Sequence, residues 1–367
     1  MARPDTFGGC VVTSTGSRLL AALLVFPLVS CGSSDGSVTT ASPARYALNE
    51  LGSFGWGSLA DSSRRLTDQE LRYGGAVLSA IVGFDVDHQG RIFVHDADYE
   101  KIVVFSPSGH LERLIAAGSG EGPGEFIRPR HLSVSRNGDL AVTDGATGRV
   151  TVFDSSGVVL TTLQLDFRPQ GTHAYGDKLA VTRLGMSVGD VAWEVTDAGE
   201  LGTPILSVTE SEAEIGRFGD PGAFGSTASG LGFASPKVGL WRIAEDGAVV
   251  SGGTELFPGL AGRSELMEGG IEYRTVPVAA RGFGQRRNGD VVVFYRVMTD
   301  PDEQLELPAR GLWVATFAPD GGFRGSRLLF PDSEEARGPT LGPDDHLYVQ
   351  TTVPFPRVIK YEMKILP

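Results

Sequence analysis

The stretch Gly118–Gly157, GSGEGPGEFIRPRHLSVSRNGDLAVTDGATGRVTVFDSSG, decides the fold of this chain. It begins with a glycine-rich loop, followed by a short strand, an Asn-Gly turn and two more strands, since apolar and polar residues alternate on both sides of the turn. The segment before it is a second copy, because Gly90 and Gly138, like Phe105 and Phe153, are 48 residues apart. A period of about 40 to 50 residues with four strands is the pattern of propeller blades.

Weaker copies of the repeat occupy the rest of the chain, at about residues 173–199, 240–276, 288–321 and 344–361. The count of copies is then six. The last copy has room for only three strands, so we expect the segment 48–80 to supply the fourth strand and close the ring, which removes exposed sheet edges. The sequence therefore predicts an all-β protein, a six-bladed β-propeller of four-stranded antiparallel blades over residues 48–367.

A family resemblance supports this prediction. The run from Gly118 to Pro129, with the pattern G-x-G-x-G-P-G-x-F-x-x-P, precedes a strand, an Asn-Gly turn, a strand and Val-Phe-Asp. It resembles the NHL-repeat type of propeller and its TolB-like six-bladed relatives, among them uncharacterised bacterial lipoproteins. The resemblance is sharp over residues 82–163 and diffuse elsewhere. It implies a fold and no particular activity, because this architecture carries many unrelated functions.

Composition limits the classes of partner. The 50 glycines and 21 prolines indicate many tight turns and few long helices. The formal net charge of -13 argues against nucleic acid and against an anionic membrane surface, because both contacts depend on Lys and Arg. We expect a monomer without a nucleic-acid partner.

The first residues have the pattern of an export signal. The apolar run Leu19–Val29 follows Arg18 and is too short to span the hydrocarbon core as a helix. The residues Leu28-Val29-Ser30-Cys31 resemble the bacterial lipobox, which implies cleavage before Cys31 and lipidation of its sulfur. An ordinary signal peptide that contains a cysteine is the alternative.

These patterns predict three regions of the chain. Residues 1–30 form a lipoprotein signal peptide, residues 31–47 comprise the lipidated cysteine and a flexible tether, and residues 48–367 form the propeller. The residue after Cys31 is Gly32 rather than aspartate. In the lipoprotein sorting pattern that residue implies the outer membrane, so we expect an extracytoplasmic protein of the cell envelope whose membrane partner is bound through the lipid.

The candidate binding residues are arginines. In the resembled family the first strand of each blade lines the channel, so the loops that enter it form one mouth together with the loops between second and third strands. Long loops at one end of a rigid scaffold commonly bind ligands. Three arginines stand eight residues before a turn glycine or its replacement Asp345, and three more fall in neighbouring loops of the same face. They are Arg130, Arg281 and Arg337, and Arg128, Arg183 and Arg296.

Several guanidinium groups around one mouth would bind a carboxylate, sulfate, phosphate or acidic sugar. In the structural alternative, each arginine pairs with an aspartate at the end of a second strand, such as Asp96 or Asp144, and holds blade to blade.

No catalytic, metal or cofactor site can be assembled from the sequence. His95, His131 and His173 lie near channel-side strand ends but have no ligand spacing. We therefore predict a binding module for a small anionic ligand or an envelope protein. The alternative is a propeller enzyme of the lactonase, lyase or hydrolase type that acts on a sugar or peptide derivative in the channel. A scaffold for a cell-surface complex would instead show a flat apolar patch on its rim.

Overall fold

The computed structural model describes most of the chain. The described residues are 45–55, 78–97, 101–116, 118–183, 188–196, 199–216, 222–227, 230–258, 263–266, 272–275, 278–298, 307–332, 336–353 and 356–366. They form six four-stranded antiparallel sheets, two short two-stranded ladders and one short helix. The predicted all-β, six-bladed propeller is thereby confirmed. Cys31 and the predicted signal peptide lie outside the described residues.

The first half of the chain begins with strand β1 (Arg45–Gly55). Blade 1 consists of β2 (Ile81–Val86), β3 (Ile92–Asp96), β4 (Lys101–Phe105) and β5 (Leu111–Ala116). A parallel ladder follows, formed by β6 (Gly118–Ser119) and β7 (Glu125–Phe126). Blade 2 consists of β8 (Pro129–Val134), β9 (Leu140–Asp144), β10 (Arg149–Phe153) and β11 (Val159–Gln164). Blade 3 consists of β12 (Pro169–Tyr175), β13 (Lys178–Arg183), β14 (Gly189–Val195) and β15 (Leu201–Val208).

The second half begins with helix α1 (Glu210–Gly216). Blade 4 consists of β16 (Ala223–Ser226), β17 (Leu231–Ala234), β18 (Leu240–Glu245) and β19 (Ala248–Gly253). A hairpin follows, formed by β20 (Arg263–Leu266) and β21 (Glu272–Thr275). Blade 5 consists of β22 (Val278–Gln285), β23 (Val291–Val297), β24 (Gly311–Phe317) and β25 (Phe323–Pro331). The last three strands are β26 (Arg337–Leu341), β27 (Leu347–Thr351) and β28 (Arg357–Leu366).

Blade 6 closes the ring as predicted. Its strand order is β1-β28-β27-β26, so the N-terminal strand is the outermost strand of the last blade. Strands β1 and β28 pair antiparallel from Arg45 with Leu366 to Gly55 with Arg357. The closing strand begins before residue 48, so the last residues of the predicted tether belong to β1.

Blade 4 differs from the sequence prediction. The prediction used Leu240–Ile243 as an early strand of the blade, whereas the structure makes it part of β18, the third strand. The first two strands are β16 and β17, where Gly225, Gly230 and Gly232 interrupt the apolar pattern. These glycines remove the alternation of apolar and polar residues on which the prediction depended. The sequence therefore did not predict β16 and β17.

The apolar core lies between successive blades. Between blades 1 and 2, for example, Phe93 and Ile102 pack with Leu132, Leu140 and Phe153, all of them 0 or 1% exposed. The described residues contain no helix that is long and apolar enough to cross a membrane.

The repeat also recurs in its hydrogen bonds. Asp144 ends β9 and accepts the backbone N–H groups of Ile127 and Arg128 at 2.7 and 3.2 Å. Asp96, 48 residues earlier, accepts those of Ser79 and Ala80 in the same way. These bonds attach the loop before each first strand to the end of the second strand.

Candidate ligand-binding site

A cavity of about 450 Å³ occupies the centre of the ring. Residues from the first strands of all six blades line it, namely β2, β8, β12, β16, β22 and β26. It opens at the end where first and second strands are joined, which we call the turn face. The described residues at this end are 87–91, 135–139, 176–177, Thr227, 286–290 and 342–346. The opposite end, where first strands begin, is the loop face. The volume is in the range usual for small-molecule sites.

Aromatic rings form much of the cavity wall. The ring centroids of His131 and His173 are 4.7 Å apart, and those of His173 and Phe224 are 5.5 Å apart. We call these three side chains, from blades 2, 3 and 4, the aromatic row. Phe84 and Phe283, from blades 1 and 5, also line the cavity and are 7% and 4% exposed.

Two glycines make room for these rings. A Cβ atom on Gly171 would lie 3.1 Å from Cγ of His131 and 3.2 Å from Nε2 of His173. A Cβ atom on Gly232 would lie 1.9 Å from Cε1 of Phe283, closer than any real contact. The positions of the rings therefore depend on the absence of side chains at these two residues.

The two histidines of the aromatic row are neutral at neutral pH. Burial lowers the pKa of His131 to about 4, against the opposing effect of a hydrogen bond with the backbone of Thr172. Burial and the nearby His131 lower the pKa of His173 well below its ordinary value. Within the described residues, Nδ1 of His131 is buried and has no hydrogen-bond partner. Both rings thus present uncharged flat surfaces to the cavity.

Asp85 is one of three carboxylates that line the cavity, with Asp87 and Asp345. It lies on β2 and accepts backbone N–H bonds from Val86 at 2.8 Å and Val134 at 2.9 Å. Burial raises its pKa to about 6, helped by the charge of Asp87, although the two backbone bonds act in the opposite direction. Asp85 therefore changes charge near neutral pH while it faces the cavity.

Three arginines stand at the turn-face mouth. Arg286 donates from Nη2 to the Met363 carbonyl at 3.3 Å, and Arg287 donates from Nε to the Pro343 carbonyl at 2.9 Å. Arg136 is exposed, and its guanidinium forms no hydrogen bond or ion pair with any described residue. Blades 2 and 5 stand opposite each other in a ring of six, so the turns that carry Arg136 and Arg287 lie on opposite sides of the mouth.

The sequence contained a signal for these arginines. Arg136 and Arg287 each stand two residues before a turn glycine, Gly138 and Gly289. The six predicted arginines follow a different register, eight residues before the glycine or in neighbouring loops, which belongs to the loop face, and their role in binding stays a prediction.

Three of the predicted arginines lie close together at the loop face. Burial lowers the pKa of Arg296. The positive charges of Arg281 and Arg337 lower this pKa further, whereas the charge of Asp332 opposes the shift. Arg296 donates from Nη1 to Asp332 at 3.1 Å, and Arg310 donates to the other oxygen of Asp332 at 2.6 Å. The structure thus forms an arginine cluster at the junction of blades 5 and 6, in which Arg310 joins the predicted residues.

The other three predicted arginines are separate from this cluster. Arg128 is exposed, and exposed Arg183 lies 5.9 Å from the ring centroid of Phe167. Half-buried Arg130 packs over Gly145, and its Nε has no partner among the described residues. None of the six predicted arginines lines the central cavity.

The described contacts of Asp144 do not fit the structural alternative for these arginines. Its carboxylate accepts backbone N–H groups from Ile127, Arg128, Ala146 and Thr147. No guanidinium pairs with Asp144 in the part of the chain that the structure describes. Its acceptors are occupied by the backbone, so it attaches loops rather than arginines.

Metal ligands do not converge in the described part of the chain. No group of three or more His, Cys, Asp or Glu residues there is placed to hold a metal ion.

Comparisons with known proteins agree with the architecture. A family model described as a 6-bladed β-propeller, DUF5128, matches residues 85–181. The chain is a six-bladed β-propeller. No curated protein matches it in sequence.

Two solved structures share this fold. One is a protein from Bacteroides fragilis NCTC 9343 described as exported, with 12% identity and a TM-score of 0.53, covering 86% of this chain and 95% of the other. The second is a member of the DUF4221 family from Bacteroides vulgatus ATCC 8482, with 11% identity and a TM-score of 0.52, covering 88% of this chain and 100% of the other. At such identities the likeness extends to the fold alone.

Proposed function

We propose that this protein is an exported, lipid-anchored binding module that holds a small ligand in the central cavity. The observation that carries the proposal is the cavity of about 450 Å³ to which all six blades contribute. A concave site with apolar and aromatic walls and a few polar groups at its mouth is the usual form of a small-molecule site. Strands of a closed ring hold such a wall rigidly, which lowers the entropy lost on binding.

Export and anchoring rest on the first residues of the chain. The apolar run Leu19–Val29 and the lipobox-like residues before Cys31 support a lipoprotein signal, and Gly32 supports the outer membrane. One structural neighbour is described as an exported protein, which is compatible with this address. The protein would act as a monomer whose membrane partner is bound through the lipid.

A thermal-shift screen of the full chain in detergent tests ligand binding. A ligand that binds only the folded state raises the melting temperature. Gln285→Trp would fill the cavity, because Gln285 is half-buried and lines it. Gln89→Trp is the matched control, since Gln89 is exposed on the turn face and does not line the cavity.

We expect the shift to disappear in the Gln285→Trp protein and to persist in the Gln89→Trp protein. A shift that survives both substitutions would place the ligand elsewhere and would overturn the proposal.

Catalysis in the channel is the second candidate, and one observation favours it. Asp85 faces the cavity with a pKa of about 6, which suits a group that accepts or donates protons near neutral pH. Hydrolysis or elimination of a lactone, sugar or peptide derivative would then be lost in an Asp85→Asn protein. Turnover that persists in this variant would exclude Asp85 as the acid or base.

A further inference from the structure

We infer that the ligand is a compact ring compound with one anionic group, a carboxylate or phosphate, which binds between Arg136 and Arg287 at the turn-face mouth. This inference rests on the proposed function, because it specifies the occupant of the same cavity. It assigns the anion to arginines on the face opposite to the six arginines that the sequence suggested.

The wall of the cavity selects an uncharged ring. The aromatic row, Phe84 and Phe283 supply ring surfaces from five blades. The two imidazoles are neutral because of their lowered pKa values, so no cation is available there for an anionic group. Offset stacking and edge contacts with such rings favour an aromatic or other flat ligand.

The mouth supplies the donors for an anion. A guanidinium has five N–H donors. In the described contacts Arg286 and Arg287 each use one side-chain donor, for a backbone carbonyl. The bond to Pro343, which itself lines the cavity, holds Arg287 beside the mouth and leaves its remaining donors available. The bond to Met363 instead directs the guanidinium of Arg286 towards β28, the third strand of blade 6. Planar guanidinium groups match carboxylate and phosphate oxygens in geometry as well as charge.

The acidic groups at the mouth are engaged by other partners. Asp87 forms an ion pair of 2.7 Å with Arg91. Asp345 accepts the backbone N–H of Arg287 at 3.0 Å, and Asp85 accepts two backbone N–H groups.

The charged residues that line the cavity carry no acidic excess. Arg136, Arg286 and Arg287 stand against Asp85, Asp87 and Asp345, and Asp87 is already paired with Arg91 from outside the lining. The excess of negative charge of the whole chain, -13, is therefore absent among the lining residues. At such a point guanidinium groups can donate to a small anion without a surplus of nearby carboxylates.

Calorimetric titration of the full chain in detergent tests the inference with matched pairs of ligands. The pairs are 3-phenylpropanoate with 3-phenylpropanamide and indole-3-acetate with indole-3-acetamide. Phenyl phosphate separates phosphate from carboxylate, and acetate supplies the anion without a ring. We expect the ring anions to bind at least tenfold more tightly than the amides, and acetate to bind weakly.

Substitutions separate the two faces of the propeller. Arg136→Ala and Arg287→Ala should each weaken binding of the ring anion by about tenfold or more, the usual effect of losing a hydrogen bond to a charged group. Arg136→Lys should restore part of the affinity. Arg183→Ala on the loop face is the control and should bind like the unmodified chain. Circular dichroism confirms that each variant is folded.

Each contrary outcome has a distinct meaning. Amides that bind as tightly as carboxylates would overturn the anionic group and leave the cavity proposal intact. Binding of ring anions that is sensitive to Arg337→Ala and insensitive to Arg136→Ala would place the anion at the loop face and overturn the inference. If no ring compound binds, charged or neutral, and the thermal-shift screen also finds no ligand that Gln285→Trp excludes, the proposed function fails with it.

Discussion

The carboxylate of Asp85, on the first strand of blade 1, accepts a hydrogen bond of 2.9 Å from the backbone N–H of Val134, on the first strand of blade 2. At the equivalent position 48 residues later, the Ser133 hydroxyl donates to the Thr172 hydroxyl of blade 3 at 3.2 Å. Polar side chains at this register thus join neighbouring blades where their strands line the cavity. The first of these contacts between blades, which we call the Asp85 joint, contains an ionisable group, the Asp85 carboxylate.

The Asp85 joint should make stability depend on pH. Its pKa is about 6 in the folded protein and 3.8 in a free side chain, so the folded state binds more protons between these values. Stability should therefore fall as the pH rises from about 4 to 6, by at most roughly 3 kcal/mol. Asp85→Asn should remove this part of the pH dependence. Urea unfolding of both proteins from pH 4 to 8 measures it, and parallel profiles would contradict the assignment.

The same residue should control affinity for an anion. Above pH 6 the charge of Asp85 opposes an anion in the cavity, so the affinity for indole-3-acetate should rise several-fold as the pH falls from 7 to 5.5. Asp87, His88 and Asp345 also face the mouth, and Asp85→Asn is the reference that isolates Asp85 from them. Titrations at both pH values decide the matter, because a slope that is equal in the two proteins would exclude Asp85 as its cause.

Gly232 should not tolerate a methyl group. Its Cβ would overlap the Phe283 ring, which is 4% exposed and cannot move without entering the cavity or the core. Gly232→Ala should lower the free energy of unfolding by about 1 to 3 kcal/mol, as overpacking does, and weaken ligand binding. Gly52→Ala is the control, because nothing lies within 4 Å of its Cβ position. Equal melting temperatures for the two variants would refute the steric argument.

Asp144 should be essential for the stability of blade 2. It is fully buried, and its carboxylate accepts four backbone N–H groups, from residues 127, 128, 146 and 147. Asp144→Ala would leave several of them without an acceptor, at a cost of roughly 3 kcal/mol. Asp177 is exposed in a turn, so Asp177→Ala should change little. Chemical unfolding of both proteins gives the comparison, and a similar midpoint for the two would show that the four bonds contribute little.

Lipidation should depend on Cys31 alone. In a bacterial host fed labelled palmitate, the unmodified chain should carry the label and fractionate with membranes. Cys31→Ser should lose both the label and the membrane fractionation. Cys10→Ser should keep both, apart from any loss caused by reduced export. Label that remains in the Cys31→Ser protein would exclude this residue as the lipidated one.

The sequence predicted the fold correctly wherever the repeat kept its characteristic glycine, aspartate and phenylalanine positions. At the 48-residue offset, Asp96 and Asp144 each accept the backbone N–H groups of two corresponding residues in the preceding loop. The sequence was insufficient in blade 4, where glycines make room for the Phe283 ring and remove the periodicity of β16 and β17. A glycine that is needed because it has no side chain does not contribute to the apolar alternation from which a strand is predicted.

The lining of the candidate site was less predictable because it depends on the direction of side chains at irregular points of the first strands. The register that selected Arg130 and Arg281 falls where the ladders of β8 and β22 shift, between Pro129 and His131 and between Ala280 and Gly282. A bulge takes the residue out of the regular alternation. The repeat period therefore does not predict the direction of these side chains. The aromatic residues that form the cavity wall do not recur at one position of the repeat, so the repeat does not identify them either.

The ladder between β1 and β28 also has a mechanical consequence. A force applied to the chain at Arg45 would load the closing strand first, and that strand is held by register pairs from Arg45 with Leu366 to Gly55 with Arg357, with a shift between Glu50 and Gly52. A pull along the strand axis strains all of these pairs together, while a pull across it separates them one after another. The direction of a force at Arg45 would then determine the load at which the ring opens.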